Sequence, residues 1–159
     1  MISFIIPAYN EAESLPNLIE RIESTLPDFD YVIINDGSWD GTKKIANKEK
    51  WNVVHLPINS GIGVAVQTGY RYALENDYDI AVQIDGDGQH DIRYLPEIVR
   101  PIEENTADVV IGSRFVEKEG FQSSGARRAG IKLLSALIFV LTGEKVKDVT
   151  SGFRAVNKE

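Results

Sequence analysis

The chain has 159 residues, 43% hydrophobic and 26% charged, which is enough for one domain with a buried core and excludes a disordered or collagen-like chain. With no cysteine it has no disulfide, thiolate metal site or cysteine nucleophile, and it suits a reducing compartment, the cytoplasm. Seventeen Lys and Arg against 24 Asp and Glu give a net charge of −7, which argues against general binding to nucleic acid.

Read in chain order, the apolar start has no basic leader and meets Pro7, so residues 2–6 are a buried strand rather than a signal peptide. Residues 11–25 follow as a helix with Leu15, Leu18, Ile19 and Ile22 on one face. A second strand at 31–34 and a short polar helix at 40–49 lead to a third strand at 53–56. Residues 62–75 form a helix whose apolar stripe is Val66, Tyr70 and Leu74. A fourth strand at 80–84, a helix at 92–103 through Leu95, Ile98 and Ile102, and a fifth strand at 108–111 complete the alternation. The strand runs are apolar enough to be buried on both faces. This order predicts an α/β fold, a mostly parallel sheet with helices on both faces.

Beyond it, Gly112 to Lys147 carries seven cations and three anions, a local +4 that leaves −11 for the rest and offers a dock for an anionic partner. Residues 131–141, interrupted by Lys132 and Ser135, fall short of the ~20 needed to span a bilayer but can lie on one.

In open α/β sheets, ligands bind beyond the carboxyl ends of the strands. Here those ends read PAYNE (7–11), NDGS (35–38), NSGIG (59–63), DGDGQHD (85–91) and GSR (112–114). Each alone is ordinary turn chemistry, but five together outline one polar rim. In DGDGQHD, two carboxylates two residues apart are the hard oxygen ligands that Mg²⁺ or Mn²⁺ accepts beside a diphosphate. An EF-hand is excluded, because the twelfth position from Asp85 is Pro96 instead of Glu. NSGIG follows the third strand, not the first, so a dinucleotide fingerprint is set aside; its glycines suit an anion at a helix start or tight packing. Trp39 and Trp51 are assigned to packing, His55 to the core and His90 to a loop contact.

PAYNE, INDGSWDGT, NSGIGVAVQTG, DGDGQHD, GSRF and DVTSGFR, in this order, resemble the family 2 glycosyltransferases with the GT-A, Rossmann-like nucleotide-diphospho-sugar transferase fold. The likeness runs from residue 2 to about 157. The DxDxQH, GSR and DxTSGFR set is most similar to the branch of dolichyl-phosphate mannose synthase and bacterial polyprenyl-phosphate glycosyltransferases.

The resemblance implies roles. Pro7, Tyr9, Glu11, Asn35, Asp36, Asp85 and Gly86 would bind the donor, with Tyr9 near the base and Asp36 on base or ribose. Asn35 replaces the first acid of the usual DDGS element, which leaves the base preference open. Asp85, Asp87 and Gln89 would hold Mg²⁺ or Mn²⁺. Asp87, Arg114 and Asp148 are the candidate catalytic residues, and Arg114, Arg127, Arg128 and Arg154 would bind the acceptor; simpler readings make Arg114 a surface ion-pair partner and let Asp148 and Arg154 pin a turn.

The implied activity is inverting, metal-dependent transfer of a hexose from a GDP- or UDP-linked sugar to a polyprenyl phosphate, by an enzyme peripheral on the inner face of the membrane. Transfer to a hydroxyl of a growing surface polysaccharide, or a non-catalytic nucleotide-sugar-binding fragment, are the alternatives. The chain reads as a single domain, 1–159, with a nucleotide-sugar part (1–111) and the start of an acceptor part (112–159). Relatives usually continue with further helices, so a truncated chain that binds nucleotide but transfers weakly is expected. Nothing in the sequence sets the oligomeric state.

Overall fold

The computed structural model describes residues 1–88, 90–112, 140 and 151–158. Its elements are β1 (Ile2–Ala8), α1 (Leu15–Thr25), β2 (Asp30–Asp36), α2 (Thr42–Glu49), β3 (Val53–Leu56), α3 (Ile62–Glu75), β4 (Ile80–Gln83), α4 (Leu95–Glu103), β5 (Val109–Ile111) and β6 (Arg154–Asn157). A 3-10 turn at Ile92–Tyr94 leads into α4, started by the Asp91 carboxylate accepting from the Arg93 amide. The strands form one sheet in the order β3-β2-β1-β4-β6-β5. β1 pairs in parallel with β2 and β4, and β2 with β3. The chain thus winds outward from β1 on one side and resumes at β4 on the other, which opens a crevice at the carboxyl ends of β1 and β4.

β6 was not anticipated. It runs antiparallel between β4 and β5, and of its four residues only Ala155 is fully buried. Arg and Asn at its ends hide the strand pattern.

Side-chain alternation along β1 feeds two cores. Phe4 and Ile6 face α1 and α4, which bring Leu18, Ile22, Leu95 and Ile98, while Phe153 enters the same layer from the last segment. Ile5 faces α3 with Val32 and Ile34. The α1 stripe is as expected, all four residues buried. Its helix starts at Leu15 rather than at residue 11, because the amides of Glu11 and Ala12 are bonded to the next loop.

α3 differs in the face it buries. Ala65, Gly69 and Ala73 are inside, Val66 and Tyr70 half-buried, and Leu74 is exposed. A Cβ on Gly69 would come within 2.1 Å of Ile5 Cγ2, so the helix lies directly on β1 and only small residues fit between. β3 is only half-buried, since it is an edge strand. Val109 on β5, at the other edge, is exposed.

Candidate active site

The loops after β1 and β2 are bonded to one another through side chains that reach main-chain amides. The Asn10 amide donates to Ser38 Oγ at 2.9 Å, and the Trp39 amide donates back to Asn10 Oδ1 at 3.1 Å. The Glu11 amide donates to Thr42 Oγ1 at 3.0 Å and the Ala12 amide to Asp40 Oδ2 at 3.1 Å. Asp40 also accepts from the Thr42 amide and hydroxyl. Desolvation would raise its pKa, but these bonds outweigh it and hold the carboxyl below the ordinary carboxylate value. Asp40 and Thr42 of INDGSWDGT thus clamp the loop that opens with PAYNE, a role invisible in the sequence alone.

Asp36, buried at the end of β2, ties the third loop in. Its two carboxylate oxygens accept from the Ser60 amide at 2.7 Å and the Gly61 amide at 2.8 Å, just before α3 begins. Gly37 adds close contact with that loop: its φ of +65° is left-handed, and a Cβ there would sit 2.4 Å from the Asn59 nitrogen.

The other side of the crevice is the end of β4. Gly86 packs on the Pro7 carbonyl, leaving 3.0 Å for a Cβ. Asp85 Oδ2 bonds His90 Nε2 at 3.0 Å, and the His90 ring stacks on Phe153 with centroids 5.3 Å apart and planes at 25°. A Cβ on Gly152 would lie 2.4 Å from either Asp85 oxygen, so the carboxylate rests on the main chain of the SGF segment. That segment is tied to β5: Ser151 Oγ donates to the Gly112 carbonyl at 2.6 Å, and the Gly112 amide donates to the Phe153 carbonyl at 2.8 Å.

Between these walls lies a cleft of about 280 Å³. Pro7, Tyr9 and Glu11 line it from the first loop, Asp36 from β2, Asn59, Gly61 and Ile62 from the approach to α3, and Asp85, Gly86 and Asp87 from the end of β4. Seven of the sequence candidates therefore share one cavity. Tyr9 is exposed in it.

Asn35 is not in its lining. It is buried behind, its Nδ2 donating to His55 Nδ1 at 2.9 Å and its Oδ1 accepting from the Ser38 amide at 3.1 Å. His55 Nε2 then donates to Asn47 Oδ1 at 3.3 Å, so this edge-strand histidine is a hydrogen-bonded bridge rather than a core residue. Burial, then the nearby Lys43, push its pKa below the ordinary value.

Arg154 opens β6 and donates to the Ser151 carbonyl at 2.7 Å, pinning the turn. Gln89, Arg114, Arg127, Arg128 and Asp148 lie outside the described residues, as does nearly all of the basic stretch. Trp51 packs against the core as expected, but Trp39 is 80% exposed beside the first loop and is no packing residue. His90 was read as a loop contact; the contact it makes is with Asp85.

Asp85 and Asp87 supply the hard oxygen donors that suit Mg²⁺ or Mn²⁺ with a diphosphate completing the shell. Among the described residues no group of three or more His, Cys, Asp or Glu stands ready to hold a metal alone. The donor set fits an ion that arrives with its nucleotide.

The family model described as "Glycosyl transferase family 2" matches residues 3–159. The chain is 35% identical over 157 residues to undecaprenyl-phosphate mannosyltransferase of Micrococcus luteus, covering 95% of this chain and 64% of that protein. It is 31% identical to polyprenol monophosphomannose synthase of Mycolicibacterium smegmatis, covering 98% and 61%. Among solved structures, glucosyl-3-phosphoglycerate synthase of Mycobacterium tuberculosis, in complex with Mn²⁺, uridine diphosphate and phosphoglyceric acid, superposes with a TM-score of 0.71 at 25% identity, over 99% of this chain and 56% of that one. The chain therefore spans somewhat more than half the length of these relatives.

Proposed function

This chain belongs to glycosyl transferase family 2, and we propose that it moves a hexose from a nucleoside diphosphate sugar to a polyprenyl phosphate, with inversion and with Mg²⁺ or Mn²⁺. The observation that carries the reading is the meeting of Asp85 and Asp87 with Tyr9, Glu11 and Asp36 in one cleft at the switch point of a parallel sheet. Relatives named for polyprenyl-phosphate acceptors support the acceptor class, and a neighbour bound to Mn²⁺ and uridine diphosphate supports the metal.

In this reading the nucleoside lies across the first loop, with Tyr9 beside the base. Asp36 fixes the wall that receives the base and ribose, while its own oxygens hold the third loop. Asp85 and Asp87 face the diphosphate and hold the ion, aided by Gln89. The ion, when bound, supplies Lewis-acid neutralisation of the charge that builds on the departing diphosphate. Glu11 closes the cleft next to Gly86 and is itself oriented by the Ser14 hydroxyl, which donates to its carboxylate.

A phosphate acceptor is already ionised near neutral pH, so the protein has to orient it more than deprotonate it. Arg114, Arg127, Arg128 and Arg154 are assigned to that task, and Asp148 is assigned a catalytic part with Asp87 and Arg114. No helix among the described residues is long and apolar enough to cross a membrane. The lipid acceptor would be met from the inner face, where the positive charge of the stretch from Arg114 to Lys147 would favour anionic headgroups.

Calorimetry with uridine and guanosine diphosphates, with Mn²⁺ or with chelator, tests the donor assignment. Mass spectrometry of products from a panel of nucleotide sugars with polyprenyl phosphate tests the reaction. Metal-dependent nucleotide binding and a glycosylated lipid phosphate are expected; equal affinity with chelator would sink the metal assignment.

A further inference from the structure

His90 belongs neither to the metal ligands nor to the donor contacts assigned above, yet it is held by two contacts in the loop after β4. Its side chain is 15% exposed against 39% for the Asp85 it touches. One ring face is stacked on Phe153 and Nε2 is 3.0 Å from Asp85 Oδ2. A second constraint on the same carboxylate is the main chain at Gly152, with 2.4 Å left for any Cβ. A carboxylate that bonds an ion is worth most when its rotamer is set beforehand, and an imidazole N–H is a common means of setting it.

We propose that His90 is a positioning residue: stacked on Phe153, it holds the Asp85 carboxylate against the Gly152 main chain and so presents it to the metal and diphosphate. The proposal rests on the donor reading above and assigns to the Gly152–Phe153 segment, just before β6, a part in building the donor site. The competing account makes His90 a staple between the β4 loop and Phe153 before β6, with no bearing on the orientation of Asp85. The two accounts separate by which ligand term they alter. A staple, once cut, weakens the whole cleft, with or without metal. A positioning contact, once cut, weakens the metal-dependent part alone, and a non-aromatic N–H donor restores it.

The test is calorimetry of uridine and guanosine diphosphates with Mn²⁺ and with chelator, on the wild type, His90→Phe and His90→Gln, each with a melting curve. The Phe variant keeps a ring against Phe153 and loses the N–H; the Gln variant keeps a donor. The metal-dependent gain in affinity is expected to fall about tenfold to a hundredfold in His90→Phe, to return largely in His90→Gln, and the chelator affinity to stay constant. Should the Phe variant not fold, His90→Ala, which demands no packing, is read in the same way. A full gain in the Phe variant, or parallel loss with and without metal, would overturn the positioning role while leaving the donor reading standing. A wild type that gains nothing from Mn²⁺ would bring down the donor reading first, and this inference with it.

Discussion

The two walls of the cleft are built by different means. On the β1–β2 side, loops roughly thirty residues apart are joined by side chains accepting from main-chain amides: Ser38, Asn10, Thr42, Asp40 and Asp36 each hold at least one. On the β4 side, the contacts seen on the Asp85 carboxylate among the described residues include an imidazole, itself carried by a ring stack, and a stretch of glycine backbone. The first wall spreads its order over many modest contacts and should yield gradually. The second concentrates it and should fail at single residues.

The sharpest break is at Asp87. Asp87→Ala removes the proposed metal ligand without touching the first wall, and transfer should drop roughly a hundredfold or more, the size of losing metal-assisted charge stabilisation. A steady-state assay alongside nucleotide calorimetry checks it.

Next is a pair of glycines. Gly152→Ala drives a methyl into the Asp85 carboxylate, and Gly69→Ala drives one into Ile5. Both should cost about 1–3 kcal/mol in denaturant unfolding, the usual cost of overpacking. Only Gly152→Ala should also weaken metal-dependent nucleotide binding by the folded fraction.

The first wall is probed by Asp40→Asn. The variant keeps an acceptor for one amide but loses the charge, and a loss of about 1 kcal/mol is expected with nucleotide affinity nearly intact. Asp40 has a depressed pKa in the fold, so its contribution is present above the unfolded value and lost as pH falls through the folded one. The variant should therefore lose less stability on acidification than the wild type.

The smallest effect is behind the wall. His55 titrates below its ordinary 6.5 in the fold, so the unfolded chain binds more protons in that window and stability should fall as pH drops through it. Asn35→Asp places a carboxylate against Nδ1 and should raise the His55 pKa and reverse that slope. An NMR titration of the His55 ring protons reads it directly.

These contrasts also mark what the sequence can and cannot tell. Fully buried strands announce themselves, because β1 and β2 must be apolar on both faces. The paired aspartates after β4 are legible for the same local reason. α3 was misjudged because hydrophobic periodicity follows large side chains, whereas this helix packs through Ala65, Gly69 and Ala73. The clamp by Asp40 and Thr42 on the first loop, and the stack of Phe153 that seats His90 beside Asp85, join residues distant in sequence through single contacts. No periodicity carries such pairs; they exist only once the chain has folded. Residue type alone assigns Trp39 to packing, whereas its exposure is set by the loop it stands on.

The place of β6 bears on how the molecule is made. Ile80 faces Asn157 and Gln83 faces Arg154 in the register, so one side of β4 waits for β6 to leave the ribosome. At about 5 to 20 residues per second the interval runs to several seconds, during which β4 is an open edge able to pair with another nascent chain. The same segment carries Gly152 and Phe153, which seat Asp85. A chain cut short before them would keep the β1–β2 wall and lose the other, so the cleft closes only on molecules whose synthesis has gone past β6.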